Sequence, residues 1–202
     1  MQEINGTSAI FGIASSIFVF VGFFPYIRDI KNKKIRPHIL SWTGWGFVTG
    51  LGAVAMLSEM FTWGVAIVVA NTVACFLIAI YAKIKKVGVL ESSAYDFSLF
   101  ALGIIGLILW QVTDNPDLAV IFAILADFSF GLPMLIKIHK DPCSESVFPW
   151  TMAMFAAVTG LFAVAYVSFT EIAYPTYLAA YDSTVLFLIL YVRKIKGCNW
   201  SD

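Results

Sequence analysis

Three polar side chains stand alone inside long apolar runs: Asn71, Asp127 and Asp182. A carboxylate at the middle of a bilayer costs at least about 2.5–3.5 kcal/mol on insertion scales, so it faces a cavity or a partner and marks a functional path. Asn71 lies halfway along its run, Asp182 holds the matched place in another, and Asp127 is near the centre of a third. One amide and two carboxyls can hydrogen-bond a polar solute, hold a positive charge, or pass a proton between two environments. A competing reading of Asp182 is purely structural, a carboxyl hydrogen-bonded to Asn71 or to a neighbouring helix. Tyr166, with Tyr177 and Tyr181 four residues apart on one helical face, supplies a candidate aromatic wall beside Asp182.

The elements that must position these groups are helices in lipid. With 60% hydrophobic and only 13% charged residues, and a mean hydropathy of +0.85, the chain has little with which to face water. A helix needs about 20 apolar residues to cross the hydrocarbon layer, because every backbone N–H and C=O must be satisfied within its own segment. Seven stretches qualify: 8–28, 38–57, 62–83, 96–112, 117–137, 148–169 and 174–193.

All thirteen Lys and Arg fall into four clusters, Arg28 to Arg36, Lys83 to Lys86, Lys137 to Lys140, and Arg193 to Lys196. Seven crossings put the four clusters on one side, which the positive-inside rule makes cytoplasmic. The amino terminus is then outside and the carboxyl terminus inside, with Glu3, Glu59, Asp114, Asp117 and Glu171 on the outer side. The expected location is an integral membrane one, the bacterial inner membrane first. The first apolar run follows a tail bearing Glu3 and no basic residue, so it reads as a retained helix and not a cleaved signal.

The chain also repeats itself. Pro25 to Ala55 reappears 108 residues later as Pro133 to Ala163, with Pro25/Pro133, Ile30/Ile138, Trp42/Trp150, Phe47/Phe155 and Gly52/Gly160 coinciding. A shift of 111 residues lays Asn71 to Ile78 over Asp182 to Ile189 and Lys83-Ile-Lys over Lys194-Ile-Lys. Three helices form one unit, helices 5 to 7 its copy, and helix 4 matches neither. Because three is odd, copies can lie parallel only if one further crossing separates them. The expected fold is therefore an all-α integral membrane protein with seven transmembrane helices, two parallel three-helix bundles joined by an inversion linker helix: 1–86, 87–115 and 116–202. A site between two similar halves can be opened alternately to either side.

This plan, with a proline late in helices 1 and 5, resembles the SWEET and PQ-loop transporters, and PnuC-type vitamin carriers are similar in architecture. Pro25 is followed by Tyr26 and Pro133 by Met134, so the Pro-Gln pair that names the PQ-loop family is absent from both copies. Pro149 corresponds to a proline that SWEET carriers place in helix 6, whereas the matched position in the first half is Ser41. The resemblance implies that Asn71 and Asp182 face each other across a substrate, with one member of the usual asparagine pair made acidic. It also implies alternating access, by a facilitator or a proton-coupled carrier, of a small polar metabolite such as a sugar, vitamin, nucleoside or amino acid. The alternative is a non-transporting membrane receptor or assembly protein, since the KDEL receptor resembles the same fold; a receptor for acidic peptide tails would place Lys or Arg inside its bundle.

Candidate hinge and gate residues follow from backbone chemistry. Proline removes an intrahelical donor and displaces the carbonyl four residues earlier, so Pro25 frees Val21 and Pro133 frees Ser129; the resemblance to SWEET carriers adds Pro149 as a third candidate. Trp42 and Trp150 are either interfacial anchors, like Trp45, or a matched pair closing the cytoplasmic mouth. His38 and His139 read as solvated loop residues, and Cys75, Cys143 and Cys198 imply neither disulfide nor metal cluster. No catalytic constellation, metal site or cofactor is expected, and no Lys within 174–193 could hold a retinal Schiff base. The expected partners are a small-molecule substrate, membrane lipid and, in the coupled case, protons; zero net charge points away from nucleic acid, and a homo-oligomer is compatible with the class.

Overall fold

The structure, a computed structural model, describes residues 6–59, 63–89, 94–113, 115–164 and 169–197. These form seven α-helices: α1 (Gly6–Lys31), α2 (Ile39–Glu59), α3 (Trp63–Lys85), α4 (Ala94–Val112), α5 (Pro116–Lys140), α6 (Val147–Leu161) and α7 (Phe169–Lys196). A single 3-10 turn at Pro142–Ser144 precedes α6. Four segments, Gly6–Lys31, Ile67–Lys85, Asp117–Lys140 and Ile172–Lys196, are long and apolar enough to cross a membrane, while Ile39–Val54, Phe97–Leu109 and Val147–Leu161 are shorter apolar helices. Large apolar side chains line the outer faces, among them Ile10, Ile13, Ile17 and Phe24 on α1 and Phe187 and Ile195 on α7. That is the surface of an all-α membrane protein, whose outer face has lipid as its solvent.

Helix α5 shows the local logic plainly. Asn115 caps it by accepting hydrogen bonds from the backbone N–H groups of Asp117 and Leu118 at 3.0 and 3.2 Å. Pro116 takes the first helical position, where its missing N–H has no intrahelical acceptor to lose. Lys33 after α1 and Lys86 after α3 adopt φ of 57° and 54°, and Gly197 after α7 adopts 68°. This left-handed residue at a helix end satisfies terminal carbonyls and turns the chain away. Lys86 and Gly197 are 111 residues apart, the spacing of the α3/α7 repeat.

Two helices depart from the expected bounds. The sixth stretch reaches residue 169 by hydropathy, whereas α6 ends at Leu161, where Phe162 N–H and Ala163 N–H donate to the carbonyls of Thr159 and Gly160 and tighten the last turn. The seventh was expected to open at 174; α7 instead begins at Phe169 and carries Pro175 in its interior.

Packing follows the repeat. Within residues 6–89, α3 lies between α1 and α2; within 116–196, α7 lies in the same way between α5 and α6. The triplets meet through α1 on α6 and α2 on α5, the arrangement that an approximate twofold axis generates. Helix α4 packs on α5 and touches α2 only lightly. Phe130 of α5 locks that corner: a methyl group added at Gly44 on α2 would lie 2.2 Å from its Cγ, and one added at Gly103 on α4 would lie 2.4 Å from its Cε1. Only glycine admits the ring at both positions.

Candidate functional site

A cavity of about 120 Å³ lies between the two triplets. Residues of α1, α2, α3, α5, α6 and α7 line it, and none of the described side chains of α4 does. Asn71, Asp127 and Asp182 all reach it, so the three polar residues isolated in the sequence share one space. Thr49 adds a hydroxyl, which donates to the Trp45 carbonyl at 2.7 Å and accepts from Thr72 at 3.0 Å.

The two aspartates are held differently. Asp127 is 2% exposed, and its carboxyl oxygens accept hydrogen bonds from the hydroxyls of Tyr174 and Tyr177, each at 2.8 Å. These tyrosines are three residues apart, so one face of α7 presents both to α5. The Trp45 indole N–H donates to the Asp127 backbone carbonyl at 3.3 Å. Asp182 and Asn71, in contrast, line the cavity without a hydrogen-bond partner among the described residues. The Asp182–Asn71 hydrogen bond of the structural reading is absent, and Asp182 does not clamp a neighbouring helix. A polar group facing a cavity and left uncommitted by the protein is available to a ligand.

Aromatic side chains make the wall nearest the basic end. Trp42 and Trp150, matched in the repeat, meet with ring centroids 6.0 Å apart, and Trp45 packs edge-on against both at 5.3 and 6.2 Å. Tyr26 joins Trp42 at 5.2 Å, and Tyr181 joins Trp45 at 5.7 Å. All five line the cavity. The Trp42 indole N–H is buried without an acceptor; it leans toward the Tyr26 hydroxyl but lies outside hydrogen-bonding geometry.

Beneath this wall is a buried polar knot. Glu145, 0% exposed, accepts from the Tyr26 hydroxyl at 2.8 Å and the Trp150 indole N–H at 3.1 Å, and Lys137 pairs with its other oxygen. The Lys137 ammonium also donates to the Arg36 carbonyl, and buried Arg193 donates to the carbonyls of Pro142 and Glu145. The loops tie together further: Arg36 N–H donates to the Ser144 carbonyl at 2.9 Å, Arg36 pairs with Asp141, and Ser146 donates to Asp29. These contacts join α1 and its following loop to the α5–α6 loop, α6 and α7. The described state is closed at the basic end.

Several sequence expectations need correction. Lys137 and Arg193, placed by sequence only in the basic clusters, are buried and engaged, although neither lines the cavity. His38 is 3% exposed and contacts Ser41 at 3.0 Å, against the solvated loop position expected; His139 is exposed. Cys143 is disulfide-bonded, contrary to the free thiol expected, while Cys75 is free, buried and on the cavity wall. Tyr177 is spent on Asp127 instead of forming a stacking wall at Asp182, whereas Tyr181 does line the cavity and donates to the Gly131 carbonyl at 2.9 Å. Tyr166 lies outside the described residues. Pro25 and Pro133 sit inside continuous helices. Pro149 is the third residue of α6, where no intrahelical bond exists to be broken, so it serves contact and not bending: a methyl at Gly22 would lie 3.1 Å from its carbonyl oxygen.

The residues that sequence reading missed are Trp45, Tyr174, Lys137 and Glu145. Trp45 follows Trp42 by three positions, a spacing that already puts both rings on one helix face. Comparison with known proteins supplies no family: no family model matches the chain, and no curated protein or solved structure matches it.

Proposed function

We propose that the chain is a seven-helix carrier that moves a small polar solute across a membrane by alternating access, rocking residues 6–86 against 116–197 around Asn71, Asp127 and Asp182. The observation carrying this reading is the cavity between two triplets of matched packing, faced by the repeat-matched pair Asn71 and Asp182 with no protein partner for either. A site at the interface of two repeats can be opened to either side in turn as one repeat rocks against the other. In this reading all seven helices cross, the four basic clusters are cytoplasmic, the amino terminus is outside, and α4 serves as the inversion linker. The likeness to SWEET and PQ-loop transporters belongs to the same proposal. Asp127 and Asp182 facing one cavity also give a proton a place to be exchanged against the solute. The Glu145 knot is then the closed cytoplasmic gate, with Trp42 and Trp150 as its inner layer. The receptor alternative loses its expected feature, because the buried Lys137 and Arg193 are engaged by Glu145 and by backbone carbonyls and stand outside the cavity.

The test is counterflow in liposomes containing the purified chain, screened with labelled sugars, nucleosides, vitamins, amines and amino acids while internal pH is followed. Uptake that requires Asp182 supports the carrier. Folded protein that moves none of the panel and responds to no imposed gradient overturns it.

A further inference from the structure

We propose that the cavity selects a small organic cation that also carries a hydrogen-bond acceptor, that is, an amino alcohol. The inference rests on reading this cavity as the solute site of the carrier. Four observations carry it. First, none of the described residues lining the cavity is Lys, Arg or His, whereas two are carboxylic acids, so a negatively charged ligand finds no counter-charge there and a cation finds two carboxyl groups. Secondly, the Asp127 oxygens already accept from two tyrosines, while Asp182 accepts from none, which leaves one uncommitted carboxyl as the counter-group, with Asn71 beside the same space. Thirdly, Tyr26, Trp42, Trp45 and Trp150 line one wall of that space with neighbouring ring centroids 5.2 to 6.2 Å apart, and indoles are the best aromatic partners for a desolvated cation. Fourthly, the Asn71 amide lines the same space without a protein partner, and its N–H groups are donors that a ligand oxygen would satisfy.

Size narrows the class further. An engineered cavity of about 150 Å³ accommodates benzene, so a cavity of this order holds about half a dozen heavy atoms. The volume here is about 120 Å³. An ammonium head among the indoles and at Asp182, joined by two carbons to a hydroxyl at Asn71, fits that limit. A disaccharide or nucleoside does not fit the described state.

Choline and 3,3-dimethyl-1-butanol make the decisive pair, because they have the same shape and differ in the charge of the central atom. Isothermal titration into the detergent-solubilised full chain is expected to show choline binding at least about 30-fold tighter than the neutral alcohol, the ratio that cation–π attraction of a desolvated ammonium gives. Tetramethylammonium, lacking the oxygen, should bind several-fold more weakly than choline. Asn71→Leu keeps about the same side-chain volume and removes the amide N–H groups, so it should erase that difference while leaving tetramethylammonium affinity within about twofold. Asp182→Asn should remove most of the charge preference, with thermal unfolding and gel filtration showing that the variant folds. Equal binding of choline and the neutral alcohol, tighter binding of butyrate than of either, or an unaltered choline preference in Asp182→Asn overturns the proposal. Counterflow separates the two failures. Choline binding without solute movement defeats the carrier and leaves the cation site standing; movement of a neutral solute with no cation preference defeats the cation site and leaves the carrier standing.

Discussion

Lys137→Met leaves the Glu145 carboxylate buried and without its counter-ion. The methionine retains the length of the apolar stem but not the ammonium, while Glu145 keeps its bonds from Tyr26 and Trp150. The two charged side chains are 8% and 0% exposed, so solvent screens the pair very little. Removing one member of a buried ion pair costs about 3–5 kcal/mol, most of it the desolvation of the charge left behind. Opening the basic end would hydrate Glu145, so the whole penalty falls on the closed state. At 1.36 kcal/mol per decade, the ratio of open to closed forms should rise by a factor of about 10² or more. Cys75 reports the change, being free, buried and on the cavity wall. In a Cys143→Ser/Cys198→Ser background, a membrane-impermeant thiol reagent applied to inside-out vesicles should label Cys75 faster in Lys137→Met, by up to that factor. Lys137→Met/Glu145→Gln should restore labelling to within about tenfold of the parent, because a neutral amide removes the orphaned charge and still accepts from Tyr26 and Trp150. Unchanged labelling in the folded single variant refutes the gate. Failure of the double variant to recover refutes the electrostatic explanation for it.

Other consequences are local. Asp182→Leu should abolish solute binding in titration and flux, whereas Asp182→Asn should lose proton movement and keep solute exchange; normal transport by both would place the site elsewhere. Tyr174→Phe removes one of the two side-chain donors to buried Asp127 and should lower stability by about 1–3 kcal/mol, read as a drop in thermal midpoint, with Tyr177→Phe similar. Gly44→Ala drives a methyl to 2.2 Å from the Phe130 ring and should destabilise by about 1–3 kcal/mol. Gly52→Ala, whose nearest atom is Val68 Cγ1 at 3.9 Å, should stay within about 0.5 kcal/mol of the parent in the same melts.

Much of the scaffold was legible along the chain because the relevant physics is local or periodic. Hydropathy over a helix length marks where apolar helices form, and α1 to α5 fall within three residues of the expected bounds at either end. Where neighbouring hydrogen bonds decided the matter, it failed: the end of α6 depends on two tightened bonds at Thr159 and Gly160, and the start of α7 runs ahead of Pro175. The same limit applies to the site. Asn71, Asp127 and Asp182 stand out in sequence because an isolated polar group in an apolar run is expensive wherever the run packs. Trp42 and Trp150 stand out because the repeat matches them.

Glu145 gave no such signal. It sits in a short polar loop between Asp141 and Val147, indistinguishable by composition from a solvated acid, and it is buried only because Tyr26, Lys137 and Trp150 converge on it from 119, 8 and 5 residues away. Division of labour between the two aspartates was equally invisible: Tyr174 and Tyr177 choose Asp127, 47 and 50 residues distant, and leave Asp182 uncommitted. The sequence by itself determined the helices, the duplication and the polar residues that lipid cannot solvate, since each of these follows from free energies summed along a segment. Tertiary structure alone decided which polar groups satisfy one another and which remain for a ligand, because a hydrogen bond acts over about 3 Å and depends on where the chain returns.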